Sequence, residues 1–108
     1  MSVQETTDQS FAKDTSTGIT VTDFWATWCG PCRMQSPAVE KVADELSNVK
    51  FTKMDVDSNP ETAKNLGIMS IPTLVIKKDG VVVKQLVGYH SPEQIKNVLN
   101  NYNWKGND

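Results

Sequence analysis

The two cysteines of this chain, Cys29 and Cys32, are separated only by Gly30 and Pro31. Two thiols at this spacing could form a structural disulfide, contribute to a metal site, lie buried as inert apolar side chains, or exchange disulfides with other molecules. A structural disulfide across so short a loop would constrain the unfolded chain very little. A structural zinc site needs about four ligands, and the one histidine of the chain, His90, is far from the pair in the sequence.

Redox chemistry is the interpretation that the surrounding sequence favours. A C-x-x-C pair beside a β-α-β pattern is typical of thiol–disulfide exchange, and Pro31 suits the first turn of a helix, where its missing N–H costs nothing. Cys29 would then lie at the start of that helix, where free N–H groups and the positive end of the helix dipole favour its thiolate. We therefore expect a solvent-open Cys29 sulfur that attacks a substrate disulfide, and a deeper Cys32 that resolves the mixed disulfide.

The elements that must position this pair follow from the pattern of apolar residues. Runs rich in β-branched and aromatic residues predict strands at 19–25, 50–56, 73–77 and 81–87, with a shorter one near 2–5. Helical spacing and helix start and stop signals predict helices near 8–14, over 30–46, from Asn59 to Gly67, and from Ser91 onwards. The order β-α-β-α-β-α-β-β-α, with parallel early strands and a final hairpin, predicts an α/β fold with a mixed central sheet and helices on both faces.

Length and charge limit the classes of function. A chain of 108 residues is long enough for one domain with a real core. Eleven basic and thirteen acidic side chains give a net charge of −2, which argues against nucleic acid or an anionic membrane as a partner. No apolar run approaches the ~20 residues that a membrane-spanning helix needs. The polar first 18 residues do not resemble a secretory signal, so we expect a cytoplasmic protein.

The chain resembles the thioredoxin family in its segments TDFWATWCGPCRM, KMDVDSNPETAKNLGIMSIPTL, KDG and VGYHSPEQI. The resemblance covers roughly residues 2–102 and leaves 103–108 as a C-terminal tail of a single domain, 1–108. It implies the thioredoxin fold, with strand order 1-3-2-4-5. It also implies a monomer that reduces diverse protein disulfides by dithiol exchange, with no metal and no bound cofactor. Electrons would come from NADPH through a flavin thioredoxin reductase.

The dipeptide between the cysteines bears on the direction of the reaction. Gly30 and Pro31 resemble the dipeptide of the reducing members of the superfamily, whereas protein disulfide isomerases and periplasmic oxidases usually carry a histidine there. Reduction of protein disulfides is therefore the expected activity. Two alternatives stay open at this point: an oxidase or isomerase with the same fold, and a non-catalytic binding subunit.

Asp23 is the unusual residue of the strand 19–25. It shares its parity with Val21 and Trp25, so its side chain either points into the protein or ends the strand in water. The resemblance implies the first of these, with a buried carboxylate that takes and returns the proton of Cys32. The resemblance also makes Lys53, in the neighbouring strand, the charge that opposes the effect of burial on Asp23.

A substrate surface around Cys29 is also implied by the resemblance. The bond between Ile71 and Pro72 is expected to be cis, with the Ile71 backbone free to pair with an extended substrate segment. The surface is expected to be flat and weakly polar, as partner sites often are. We define it as the docking patch, which comprises Trp28, Gly30, Pro31, Ile71, Pro72 and Gly88.

Several positions depart from the family pattern, and three of them bear on the structure around the site and the sheet. Thr22 adds a hydroxyl before Asp23 whose partner the sequence does not identify. Lys77 stands where an aromatic residue is frequent, which indicates different packing at that end of the sheet. His90 follows Gly88 and Tyr89, and we expect it at the surface and outside the chemistry.

Overall fold

A computed structural model describes residues 2–102 as one five-stranded sheet with helices. The parallel strands β1, β3 and β2 are followed by β4 and β5, which are antiparallel to their neighbours, in the order β1-β3-β2-β4-β5. This confirms the predicted fold and strand order. The tail 103–108 lies outside the described residues. The elements are β1 (Val3–Glu5), α1 (Phe11–Asp14), β2 (Ile19–Trp25), α2 (Gly30–Glu45), β3 (Lys50–Asp55), α3 (Pro60–Asn65), β4 (Thr73–Lys78), β5 (Val81–Val87) and α4 (Pro92–Leu99), followed by a 3-10 turn (Asn100–Tyr102).

Strand β2 lies in the middle of the sheet, and its first six residues are buried on both faces. Val21 packs in the cluster formed with α2 and α4, where Val42 and Ile95 are fully buried. Phe24 packs on the opposite face, in the cluster that contains Phe11 of α1. Two apolar layers therefore enclose β2 and fix its C-terminal end, where α2 and the cysteine pair begin.

The first helix is shorter than predicted. It begins at Phe11 rather than near residue 8, because the preceding residues form a turn. In that turn the Thr7 carbonyl accepts hydrogen bonds from the N–H groups of Ser10, at 3.1 Å, and Phe11, at 2.8 Å.

The start of α3 depends on a residue that the sequence pattern does not indicate. Asn59 precedes the helix, as expected, but its side chain does not cap it. The carboxylate of Asp8 accepts hydrogen bonds from the N–H groups of Glu61, at 3.1 Å, and Thr62, at 2.9 Å. The Asn59 side chain instead accepts a hydrogen bond from the Asp8 N–H at 3.0 Å. The segment before α1 is thereby attached to α3.

Two of the unusual positions gain defined partners inside the protein. The Thr22 and Thr52 hydroxyls are hydrogen-bonded at 2.8 Å between neighbouring strands. Lys77 is only 7% exposed; its Nζ donates to the Thr15 hydroxyl at 2.7 Å and lies 4.6 Å from the centre of the Phe11 ring. Burial lowers the pKa of Lys77. This end of the sheet therefore packs around the Lys77 side chain, an arrangement that the sequence did not specify.

Candidate active site

The cysteine pair lies where β2 gives way to α2. Cys29 is the N-cap residue of the helix, with extended backbone angles, and its Sγ accepts a hydrogen bond from the Cys32 N–H at 3.2 Å. Pro31 lies in the first turn, as predicted. The two cysteines form a disulfide with a Cα–Cα distance of 5.3 Å. The sulfur of Cys29 is thus placed against the unpaired N–H groups at the positive end of the helix dipole.

The expectation of a solvent-open Cys29 sulfur is wrong for this oxidised pair. Cys29 is 4% exposed and Cys32 is 3% exposed, so the expected difference in depth is almost absent. Both pack with Ala26 and Ile71, and the Ile71 carbonyl oxygen lies 3.8 Å from the Cys29 Sγ. The disulfide bond and these neighbours together cover the atom. The redox interpretation therefore depends on the disulfide between Cys29 and Cys32, and not on solvent exposure of the Cys29 sulfur.

Asp23 is buried, which settles the two interpretations of its position in the strand. It is 2% exposed, and its Oδ1 makes no hydrogen bond within residues 2–102. Burial raises the pKa of Asp23 to about 7, because the charged form loses its hydration, and the charge of Lys53 opposes the increase. Lys53 lies directly opposite Asp23 in the parallel pairing of β2 and β3.

Asp23 and Cys32 line the same cavity of about 350 Å3. Lys53 and Arg33 also contribute to its wall, so the carboxyl group, two cations and the second cysteine meet around one space. The remaining lining residues are Trp25, Ala26, Thr27 and Ser36. The arrangement therefore places a proton-binding carboxyl group and Cys32 on the wall of one cavity.

The docking patch is assembled, although one of its members is covered. Trp28 is 66% exposed, Gly30 and Pro31 are exposed, and Ile71 and Gly88 are half-buried. Pro72 is buried, and its carbonyl accepts a hydrogen bond from the Gly88 N–H at 2.9 Å. The Ile71–Pro72 bond is cis, which confirms that prediction.

Two features beside the patch were not predicted. The indole Nε1 of Trp28 donates to the Asp57 carboxylate at 2.8 Å, which holds the exposed ring in place. Met69 is 95% exposed and lines a second cavity of about 380 Å3 together with Trp28 and Ile71. Its sequence signal, a methionine shortly before Ile71 and Pro72, carries no periodicity, so it could not be separated from an ordinary loop residue.

His90 is partly exposed, and its Nδ1 lies 2.9 Å from the Gly88 carbonyl. Its backbone is bonded to Gln35, a fully buried residue of α2. Gln35 was not predicted to matter for the site, although an amide four residues before Val39, on the apolar face of a helix, is a usable signal. Among residues 2–102, no group of three or more His, Cys, Asp or Glu side chains is arranged to hold a metal.

Comparisons with known proteins agree with this geometry. A sequence model of the thioredoxin family matches residues 2–101. A thioredoxin of Listeria monocytogenes is 54% identical over 101 residues, which cover 93% of this chain and 98% of that protein. A thioredoxin of Bacillus subtilis is 46% identical over 103 residues, 94% of this chain and 99% of that protein. The solved structure of a mutant thioredoxin from Halobacterium salinarum has a TM-score of 0.86 at 32% identity, covering 93% of this chain and 89% of its own.

These matches span the whole described sheet as well as the cysteine pair. Protein-disulfide reduction by dithiol exchange needs two cysteines that can form and break one bond, and Cys29 and Cys32 are bonded here. The chain belongs to the thioredoxin family and is a dithiol–disulfide oxidoreductase that reduces protein disulfides.

Proposed function

We propose that Cys29 is the attacking thiol and Cys32 the resolving thiol of this protein-disulfide reductase. In the reduced protein the Cys29 thiolate attacks one sulfur of the substrate disulfide, and the other substrate sulfur leaves as a thiolate. Cys32 then loses its proton and attacks the Cys29 sulfur, which releases the second substrate thiolate. Two electrons pass to the substrate, and the protein is left with the Cys29–Cys32 disulfide.

The hydrogen bond from the Cys32 N–H to the Cys29 Sγ is the observation that carries this assignment. It stabilises negative charge on Cys29 and is unavailable to Cys32, whose sulfur lies a turn further along the helix. Charge on Cys29 favours it as the nucleophile that attacks the substrate disulfide.

Asp23 is proposed as the acceptor of the Cys32 proton. The two residues line one cavity, and an acid whose pKa is raised to about 7 by burial is poised to exchange a proton near neutral pH. Lys53 is proposed to modulate this group, because its charge favours the ionised carboxylate.

Substrate recognition is proposed to occur over the docking patch. The Ile71 carbonyl is adjacent to the Cys29 sulfur, so an extended chain that pairs with the Ile71 backbone would bring its own disulfide to that sulfur. Trp28, Gly30, Pro31 and Gly88 would provide a low, weakly polar surface on which many different chains can lie, and the buried Pro72 would belong to the foundation of this surface.

The remaining proposals concern the setting of the reaction. We propose one thioredoxin domain over 1–108, with the core at 2–102 and a tail at 103–108, acting as a cytoplasmic monomer. A flavin thioredoxin reductase would return the disulfide to the dithiol with electrons from NADPH, so no bound cofactor is required. Within the part of the chain that the structure describes, none of the helices has the length and apolar character to cross a membrane.

Reduction of insulin disulfides by a dithiol tests this function directly. The unmodified protein should accelerate the reaction, and Cys29→Ser should abolish the acceleration. Cys32→Ser should instead accumulate a mixed disulfide at Cys29. Activity that survived Cys29→Ser would contradict the assignment, and a reduction potential well above that of the glutathione pool would favour an oxidase.

A further inference from the structure

Gln35 forms a clamp between α2 and the segment 88–90. It lies three residues after Cys32 on α2 and is 0% exposed. Its Nε2 donates to the His90 carbonyl at 2.9 Å, and its Oε1 accepts from the His90 N–H at 2.8 Å. Both backbone hydrogen-bonding groups of His90 are thus satisfied by one side chain.

The other end of this segment is hydrogen-bonded to Pro72, the residue that follows Ile71 beside the cysteine pair. The Gly88 N–H donates to the Pro72 carbonyl at 2.9 Å, and the His90 ring nitrogen Nδ1 lies 2.9 Å from the Gly88 carbonyl. Residues 88–90 therefore bridge the helix that carries the cysteines and the residue that follows Ile71. Tyr89, in the middle of the bridge, is 43% exposed.

The chemistry of glutamine suits this position. Its side-chain amide carries a donor and an acceptor in one plane, as a peptide group does. It can therefore pair with a backbone much as a neighbouring strand would. The face of α2 on which it lies is otherwise apolar, with Val39 and Val42 buried on it, so the amide is justified only by its bonds to His90.

We infer that Gln35 is a positioning residue for substrate recognition. By holding residues 88–90 at a fixed separation from α2, it fixes where a chain paired with Ile71 lies relative to the Cys29 sulfur. This inference rests on the proposed recognition over the docking patch. Gln35 itself is buried and takes no part in the exchange of electrons or protons, so its effect is on extended substrates and not on the intrinsic chemistry of the cysteines.

Two substrates separate these effects. One is an extended peptide of about ten residues that carries a disulfide, long enough to pair with a backbone strand. The other is the small aromatic disulfide dithiobis(nitrobenzoate), which is too short to do so. Gln35→Met keeps the length of the side chain but leaves the two His90 backbone groups without partners. We expect kcat/KM for the peptide to fall about tenfold. The fall should come from a higher KM, because buried backbone groups without hydrogen-bond partners destabilise the position of residues 88–90 and weaken binding of the peptide. The value for the small disulfide should stay within about twofold.

Gln85→Met is the matched control. It removes another glutamine-to-carbonyl hydrogen bond, from Gln85 Nε2 to Leu66 at 3.0 Å, which does not involve residues 88–90. We expect it to leave the ratio of the two kcat/KM values within about twofold of that of the unmodified protein.

Gln35→Glu gives a second test that does not need Gln35→Met to fold. A neutral carboxylic acid can donate to the His90 carbonyl and accept from its N–H, whereas a carboxylate can only accept. The ratio of kcat/KM for the peptide to kcat/KM for the small disulfide should therefore be close to that of the unmodified protein at about pH 5.5, and well below it at about pH 8. The His90 imidazole contacts the Gly88 carbonyl and is present in both the unmodified protein and Gln35→Glu. The ratio of the two kcat/KM values in Gln35→Glu is therefore divided by the ratio in the unmodified protein at the same pH.

The outcomes are distinct. An unmodified protein whose rate of peptide reduction did not saturate with peptide concentration would overturn the proposed recognition, and this inference with it. Saturation in that protein, together with a loss in Gln35→Met that is equal for both substrates, would overturn the inference alone. The same holds for a Gln35→Glu ratio that does not change with pH. Two results together support the clamp. Gln35→Met loses activity towards the peptide and not towards the small disulfide, and Gln35→Glu regains activity towards the peptide when its carboxylate is protonated.

Discussion

Asp23 and Cys32 share the lining of one cavity behind the disulfide, although they belong to different elements, β2 and α2. The carboxyl group is buried and lacks a hydrogen bond at Oδ1 within residues 2–102, while the sulfur is in the bond that must form and break. Burial and the unpaired Oδ1 are the features on which the proposed transfer of a proton from Cys32 to this carboxyl group rests.

Asp23→Asn should slow the second step of the exchange and not the first. An amide cannot accept the Cys32 proton, so resolution of the mixed disulfide should fall roughly a hundredfold at pH 7, within the range of general-base effects. A single-turnover experiment that separates formation of the mixed disulfide from its resolution measures this. Equal rates of resolution at pH 7 would show that Asp23 is not the acceptor.

Asp23→Asn should also change the pH dependence of stability in the oxidised protein. Burial raises the pKa of Asp23 from 3.8 to about 7 in the folded state. The native protein therefore holds this proton more tightly than the unfolded chain, and stability is lost as the pH rises from about 4 through about 7. We expect the variant to unfold with a free energy about 4 kcal/mol larger at pH 8, at ~1.4 kcal/mol for each pH unit between the two pKa values. The difference should vanish near pH 4. Denaturant titrations at both values measure it, and a difference independent of pH would contradict the account.

Lys77→Met should stabilise the protein at pH 7. Burial lowers the pKa of Lys77, which means that the fold disfavours the ammonium. Stability therefore increases as the pH rises through the folded pKa towards 10.5. Methionine fills the same space without a charge, and the Thr15 hydroxyl keeps its bond to the Phe11 carbonyl. We expect a gain of about 1 kcal/mol in the free energy of unfolding, which shrinks as the pH rises through the folded pKa of Lys77 towards 10.5.

Lys78→Met is the control for that measurement. Lys78 is the exposed neighbour at the end of β4, and its replacement should leave the free energy of unfolding almost unchanged. A loss of stability in Lys77→Met would mean that the hydrogen bond to Thr15 and the contact with the Phe11 ring outweigh the cost of burying the charge.

Local features of the sequence were sufficient to predict the order of the strands and helices and the position of the cysteine pair at the start of α2. The spacing of Cys29 and Cys32, with Pro31 between them, fixes a helix start, and the strand parity of Asp23 made burial one of two possible interpretations. The resemblance to thioredoxins then chose between these interpretations.

Pairs that are distant in the sequence could not be predicted in the same way. Asp8 caps α3 from 53 residues away, and Gln35 meets His90 across 55 residues. Such contacts depend on how elements pack, which no local spacing encodes. The same reason explains the wrong expectation for the exposure of Cys29, since the Ile71 carbonyl that helps to cover its sulfur comes from a loop 42 residues further on.

The most direct test of the central claim is the alkylation of the reduced protein by iodoacetamide between about pH 6 and pH 7, with the modified residue located by mass spectrometry. The N–H of Cys32 and the helix dipole should hold Cys29 ionised. We therefore predict modification at Cys29 alone, at least about tenfold faster than that of a cysteine in an unstructured peptide at the same pH. Modification at Cys32, or a rate at Cys29 no greater than that of the peptide, would contradict the account.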